Sequence, residues 1–123
     1  IETNKFSNYN QVTTEMNMLT QSLEPHLNDL EGLPLLILAD DADFVAEKFN
    51  NFLWVSFTRC NPSHDIYGVA SFVEHKHWGC KGPVIIDARM KPHHAPPLIK
   101  DTAVEKSIDP IFEKGGSLYG ILK

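Results

Sequence analysis

The fold is decided by two apolar runs that each end in charged residues, Leu35-Leu36-Ile37-Leu38-Ala39-Asp40-Asp41-Ala42-Asp43 and Val84-Ile85-Ile86-Asp87-Ala88-Arg89-Met90-Lys91-Pro92. Each run predicts a strand that is buried on both faces, because its apolar residues do not alternate with polar ones. In an open α/β sheet, ligands bind outside the carboxyl ends of the strands. We therefore expect the charged residues that end these runs to lie at one edge of the sheet.

A narrow apolar stripe predicts an amphipathic helix before the first strand. Its members recur at helical spacing: Val12, Met16, Leu19 and Leu23. Pro25 would end this helix. Gly32 and Pro34 predict a loop directly before the first strand. We interpret residues 1–33 as an N-terminal helix and linker and residues 34–123 as one compact unit. Because so small a domain would leave part of the stripe uncovered, we expect self-association, most simply a homo-oligomer with two-fold contacts.

An aromatic helix is predicted after the first strand. Asp43 is a favourable N-cap for it, and Asp40 and Asp41 are interpreted as solvated residues of the strand-to-helix turn. The apolar residues fall near helical spacing and form a wide stripe: Phe44, Phe49, Phe52, Leu53, Trp54, Val55 and Phe57. This helix should therefore be largely buried and should end at Asn61-Pro62-Ser63.

The region between the two apolar runs gives weaker signals. Residues 66–73 alternate only partly in polarity and predict a weak strand. Gly79, Gly82 and Pro83 are typical of a turn, and His77-Trp78 is interpreted as a loop packed by its tryptophan.

A capping box predicts the start of the last helix, with Thr102 as the N-cap and Glu105 reaching back. Pro110 should kink or split this helix, and Gly115-Gly116 should stop it. The order of helix, strand, helix, weak strands, strand and helix predicts a single α/β domain with a mixed sheet layered with helices; an α+β domain is the alternative.

Composition excludes several classes of protein. A chain of 123 residues has the size of one domain. A net charge of −5 gives no electrostatic reason to bind nucleic acid, and no apolar run approaches the ~20 residues of a membrane span. Two cysteines, Cys60 and Cys80, are interpreted as reduced thiols of a cytoplasmic protein. Because the chain begins at Ile1 rather than Met, we expect it to be a piece of something longer.

Four basic side chains are the candidates for a place near a substrate. Lys91, His93 and His94 belong to a basic stretch stiffened by prolines, which could bind a carboxylate or phosphate or serve in acid–base chemistry; the alternative is a stiff connecting loop. We expect alanine at each of these three positions to affect turnover more than stability. Arg59 would end the aromatic helix and pair with Asp65 or with a strand-end aspartate.

Metal binding is considered at two places and is not expected at either. The carboxylates of residues 40, 41 and 43 could ligate a hard cation. A strand-to-helix turn and a helix cap account for acidic residues at these positions without a metal. We therefore assign structural roles in turns and caps to Asp40, Asp41, Asp43 and Asp87. His75, His77 and Cys80, with the distant Cys60, are zinc-ligand types at irregular spacing. A metal-binding module built on them is the weakest of the alternatives. No phosphate-binding glycine loop and no catalytic triad can be identified.

About half of the chain resembles the C-terminal domain of the UbiD-like decarboxylases, the family of 3-polyprenyl-4-hydroxybenzoate carboxy-lyase. The matching blocks occur in order at residues 36–43, 50–62, 65–66, 75–80 and 84–92. They include the uncommon sequences Thr58-Arg59-Cys60-Asn61-Pro62 and His75-Lys76-His77-Trp78-Gly79-Cys80. The histidine-rich stretch 75–94 departs from the better-known members, so the resemblance does not transfer a substrate.

The resemblance implies an enzyme that reversibly decarboxylates aromatic or α,β-unsaturated acids with prenylated FMN, a divalent metal (usually manganese) and potassium. The catalytic Glu-Arg-Glu set of this family belongs to the N-terminal region, and nothing in this chain resembles it. We therefore expect no catalytic residue and no bound flavin in this chain alone. The family's C-terminal domain closes one side of the substrate cleft and takes part in oligomerisation. The alternative is a stand-alone, non-catalytic binding or interaction domain of the same fold.

Overall fold

The computed structural model describes residues 1–96, 99 and 101–121. The elements follow in the order α1 (Tyr9–Leu23), a 3₁₀ helix (Glu24–His26), β1 (Leu35–Leu38), α2 (Ala42–Glu47), α3 (Phe49–Thr58), β2 (Ile66–Gly68), β3 (Ser71–Glu74), β4 (His77–Cys80), β5 (Val84–Asp87) and α4 (Thr102–Phe112). A three-stranded sheet has the order β1-β5-β2, with β1 parallel and β2 antiparallel to β5. The prediction of an α/β domain with a mixed sheet is confirmed.

The central sheet is covered on both faces, as the two unbroken apolar runs predict. Leu38 and Ile85 pack on one face with Val12 of α1. Ile37 and Ile86 pack on the other face within a second apolar cluster. Because successive side chains of a strand point to opposite faces, each apolar run supplies residues to both clusters.

The N-terminal stripe packs onto the sheet of its own chain. Asn8 caps α1 by accepting a hydrogen bond from the Gln11 N–H, and Val12 and Met16 are buried in the core. Leu19 and Leu23 are partly buried against the same cluster. The stripe therefore finds its apolar partner in β1 and β5, with Leu19 and Leu23 only partly covered. Self-association stays a prediction.

The aromatic segment forms two helices rather than one. The chain is extended at Lys48 (φ −145°, ψ 143°) between α2 and α3. The Asn51 side-chain amide donates to the Phe44 carbonyl at 2.9 Å and partly replaces the interrupted helical hydrogen bonds. The prediction of a largely buried helix is also wrong, because only Val55 and Ser56 of α3 are buried. Its exposed aromatic residues include Phe49, Trp54 and Phe57.

The cap of α2 is Asp41, not Asp43 as predicted. Asp41 has an extended backbone, and its carboxylate accepts a hydrogen bond from the Phe44 N–H at 2.8 Å. Asp43 lies one residue inside the helix start, in the first turn, where its charge favours the positive end of the helix dipole. Two aspartates so close together carry the same capping signal in sequence, and the backbone conformation decides between them.

Replacing Asp41 by alanine should lower the free energy of unfolding by about 0.5–2 kcal/mol, because the Phe44 N–H loses its acceptor. Asp41→Asn keeps an acceptor of similar quality and should be nearly neutral. Urea denaturation of the three proteins, with Asp43→Ala as the fourth, measures the differences. A larger loss in Asp43→Ala than in Asp41→Ala would assign the cap to Asp43 instead.

The region 66–80 forms one short strand and a two-stranded hairpin. β2 joins the central sheet, whereas β3 pairs with β4 in a separate antiparallel sheet. The hairpin turn is His75-Lys76, where both residues have positive φ. The interpretations of residues 66–73 as one strand and of His77-Trp78 as a loop are therefore wrong. Gly79 lies in β4, where the Phe72 ring lies 2.7 Å from the position that a Cβ atom would occupy and would have to shift to admit a side chain.

The last helix begins one residue earlier than predicted. Asp101 is the N-cap and accepts from the N–H groups of Ala103 and Val104, whereas Thr102 is the first helical residue. Pro110 lies in the final turn and does not split the helix. No helix among residues 1–96, 99 and 101–121 is long and apolar enough to cross a membrane.

Candidate functional site

Four charged side chains are buried beyond the carboxyl end of β5: Asp65, Asp87, Arg89 and Lys91, each 2% exposed or less. Arg89 binds Asp87 through two hydrogen bonds of 2.9 Å, from Nε and Nη2 to the two carboxylate oxygens. The Lys91 ammonium lies 3.3 Å from Asp65 Oδ2 and 3.9 Å from Asp87 Oδ1. Two cations and two carboxylates balance, as burial of charge requires.

Lys91 also joins two segments of the backbone. Its Nζ donates to the carbonyl oxygens of Asp87 at 2.7 Å, Arg59 at 3.1 Å and Arg89 at 3.2 Å. These hydrogen bonds link the end of α3 to the loop that follows β5. The expectation that Lys91 is a surface residue of little structural effect is wrong, because its side chain is surrounded by acceptors inside the protein. Its place near a substrate stays a prediction.

Arg89 extends this buried network to the N-terminal segment. Its Nη1 donates to Glu15 of α1 at 3.0 Å and to the Asn4 carbonyl at 2.9 Å. Hydrogen bonding to Asp87 raises the pKa of Arg89, so the guanidinium stays charged despite its burial. Sequence reasoning missed this role, although Asp87, Arg89 and Lys91 alternate in the sequence directly after a buried strand. Asp87 lies at the centre of this ion network rather than at a helix cap.

Arg59 lies between α3 and the end of β1. Its Nη1 is 3.5 Å from Asp40 Oδ2, which confirms the predicted pairing with a strand-end aspartate; Asp65 instead binds Lys91. The guanidinium carbon lies 5.2 Å from the centre of the Trp54 ring, within range of a cation–π contact. Its Nε is buried and has no hydrogen-bond partner among the described residues.

His94 is held by hydrogen bonds to the backbone of Lys91: its own N–H donates to the Lys91 carbonyl at 2.9 Å, and its ring accepts from the Lys91 N–H. Its Nδ1 lies 3.1 Å from the Lys91 N–H and accepts from it, so that the proton of the neutral ring is on Nε2. Burial lowers the pKa of His94, and the nearby His93 and Lys91 lower it further. The His93 ring packs edge-on against His94 at 4.6 Å between ring centres. At neutral pH, His94 is therefore an uncharged donor through Nε2.

A cavity of about 260 Å³ opens between α3 and the loop after β5. Its lining residues are Trp54, Thr58, Arg59, Met90, His94, Ala95 and Pro96. Two of the four sequence candidates, Arg59 and His94, therefore meet in one cavity. Lys91 lies beneath its walls, and His93 is outside its lining. We refer to it below as the Arg59–His94 cavity.

The residues considered for metal binding do not converge. Among the described residues, no group of three histidine, cysteine, aspartate or glutamate side chains could hold a metal ion. His75 and His77 lie exposed on the β3–β4 hairpin, and Cys80 donates through Sγ to the Gly82 carbonyl. This geometry gives no support to a metal-binding module.

Comparison with known proteins finds relatives but no matching family model and no matching solved structure. Over 83 residues, 68% of its length, the chain is 32% identical to a 4-hydroxybenzoate decarboxylase subunit from Chlamydia pneumoniae. It is 29% and 31% identical, each over 69% of its length, to uncharacterized proteins of Chlamydia muridarum and Chlamydia trachomatis. The aligned part spans only 14–15% of the length of these relatives. The chain is thus related to one segment of a decarboxylase subunit.

A cofactor phosphate binds where backbone N–H groups can approach it closely. At Gly68, Gly79 and Gly82, neighbouring side chains lie within 3 Å of the position that a Cβ atom would occupy, so these three glycines offer no such approach. We assign no step of a flavin reaction to the described residues.

Proposed function

We propose that this chain is the C-terminal domain of a UbiD-like, prenylated-FMN-dependent decarboxylase acting on an aromatic or α,β-unsaturated acid. The observation that carries this proposal is its 32% identity to a segment of a 4-hydroxybenzoate decarboxylase subunit. The UbiD-like blocks of the sequence agree with it. Prenylated FMN, manganese and potassium would be bound by the rest of the enzyme, together with the catalytic Glu-Arg-Glu set, in the cytoplasm.

In this proposal the domain forms one wall of the substrate cleft. The Arg59–His94 cavity lies beyond the carboxyl ends of β1 and β5, which is the edge where α/β sheets bind ligands. Self-association remains part of the proposal, now through the exposed aromatic face of α2 and α3. Its members are Phe44, Phe49, Leu53, Trp54 and Phe57, each at least 37% exposed. Apolar surface of this kind is typical of protein–protein contacts.

A stand-alone binding domain without catalysis is the second candidate. It is favoured by one observation: Arg59, His94 and the apolar side chains around them form a cavity among the described residues of this chain. The two candidates differ in whether the natural protein carries a cofactor domain.

The full-length natural protein, produced together with prenylated FMN, should release carbon dioxide from at least one aromatic or α,β-unsaturated acid. Deleting the segment 1–123 should reduce turnover to background, because the cleft loses one wall. The intact mass and a carbon dioxide release assay test both points. A natural protein of about this chain's own mass, or a flavin-loaded full-length protein that turns over neither class of acid, would favour the binding domain.

A further inference from the structure

We propose that the Arg59–His94 cavity is a binding site for a small carboxylic acid with a flat apolar body. This inference rests on the proposed function for the class of ligand, but the site consists of residues of this chain alone. Arg59 would bind the carboxylate, His94 would add a hydrogen bond, and the apolar walls would hold the body of the acid.

Arg59 is the anchor because its guanidinium is incompletely paired. Asp40 approaches only Nη1, at 3.5 Å, and Nε has no partner among the described residues. Arg89 of this protein shows that a carboxylate is a suitable partner for the Nε and Nη2 atoms of an arginine, because these two atoms donate to both oxygens of Asp87. A carboxylate in the cavity would supply the missing acceptor when the Arg59 guanidinium turns toward it.

The charges around the cavity favour an anion. None of the described residues that line it is acidic. Asp40 lies instead along a neighbouring cavity on the other side of Arg59 and Met90, together with Asp41 and Lys5. Asp40 is also fixed by accepting from the Met90 N–H at 2.7 Å, which holds its charge away from the Arg59–His94 cavity.

His94 completes the polar part of the site as a neutral donor. Because its Nδ1 is occupied by the Lys91 N–H, Nε2 is the nitrogen that carries the proton. Burial and the adjacent His93 and Lys91 lower the pKa of His94 and keep it neutral at pH 7. A carboxylate oxygen accepts from this Nε2–H without any change of protonation.

The walls and the volume define the rest of the ligand. Trp54, Met90, Ala95 and Pro96 supply apolar surface, and flat rings pack well against tryptophan. A volume of about 260 Å³ lies below the ~300–1,000 Å³ of drug-sized sites. The cavity therefore fits a single-ring acid better than a larger one.

The two sides of the cavity are held together before any ligand binds. Lys91 Nζ bonds the carbonyl of Arg59 on α3 and those of Asp87 and Arg89 after β5. The Lys91 N–H in turn orients the His94 ring. The Arg59 backbone and the His94 ring are therefore in place before binding, and only the Arg59 guanidinium has to turn, which lowers the entropy lost on binding a small ligand.

Titration of the chain 1–123 with benzoate, followed by NMR, tests the site. We expect a dissociation constant of about 1 mM and a shift of the Trp54 indole signal. The Trp78 indole signal, on the β3–β4 hairpin, should not move. Benzamide, the neutral analogue, should bind at least about tenfold more weakly. Equal binding of the two compounds, or no change at Trp54, would overturn the proposal.

Two variants separate binding from folding. Arg59→Gln should raise the dissociation constant about tenfold or more. Ala95→Leu fills the cavity without altering a charge and should abolish the Trp54 response while the rest of the spectrum is retained. The control Lys106→Gln, at an exposed cation on α4, should bind benzoate like the original chain. Unchanged affinity in Ala95→Leu would place the ligand elsewhere and overturn the proposal.

Failure of this inference can be told from failure of the proposed function. If the chain 1–123 does not bind benzoate but the full-length protein decarboxylates an acid, only the proposed binding site is overturned. A chain that binds benzoate through Arg59, within a natural protein that lacks a cofactor domain, would overturn the decarboxylase proposal and leave the site standing.

Discussion

Replacing Lys91 by alanine should lower the free energy of unfolding by about 3–5 kcal/mol, the usual cost of removing one partner of a buried ion pair. Asp65 and Asp87 would each lose a cationic neighbour while remaining fully buried. Three backbone carbonyls would also lose their donor. A loss of this size is a large part of the ~5–15 kcal/mol that stabilises an ordinary domain.

Urea denaturation at neutral pH measures this effect, with Lys106→Ala as the matched control. Lys106 is an exposed lysine of α4, and its replacement should change the free energy of unfolding by no more than about 0.5 kcal/mol. Lys91→Met keeps the volume of the side chain but not its charge, and it should lose nearly as much as Lys91→Ala. A loss below ~1 kcal/mol in both Lys91 variants would mean that the buried network contributes little.

The sequence is sufficient to predict the parts of the fold that depend on apolar pattern. The two unbroken apolar runs become β1 and β5, and the helical stripe becomes α1. The location of the charged residues at one edge follows from the same pattern. What the pattern does not contain is the partner of each charge: Arg59 had Asp65 and the strand-end aspartates as candidate partners in the sequence, and only folding selects Asp40.

Burial of Lys91 could not be predicted for the same reason. A lysine close to prolines and two histidines is typical of an exposed basic loop, because lysine is rarely buried unless it is paired. Its pairing depends on Asp65, which precedes β2, and on carbonyls from two separate segments. The prediction for the aromatic helix was wrong in the opposite direction, because burial was expected and most of the helix is exposed. Its apolar content is that of a buried helix, yet only part of one face contacts the sheet.

Val12→Asp should unfold the whole chain. Val12 lies in residues 1–33, which the sequence pattern predicts to be a helix and linker outside the compact unit of residues 34–123. Val12 is fully buried and packs in one cluster with Leu38 of β1 and Ile85 of β5. A carboxylate at this position would have no cation among its apolar neighbours. Burying it unpaired should cost more than about 4 kcal/mol, which places it among the most damaging single substitutions.

Both tryptophans, Trp54 and Trp78, lie in residues 34–123, so their fluorescence reports on that unit rather than on α1. Met18→Asp is the matched control, because Met18 is on the same helix and is 67% exposed. We expect the tryptophan signal of Val12→Asp to be that of an unfolded chain without denaturant, and that of Met18→Asp to show a nearly unchanged urea midpoint. If residues 1–33 are only a helix and linker, the Val12→Asp midpoint will instead match that of the original chain. Because α1 supplies one layer over the central sheet, we expect the two regions to unfold together.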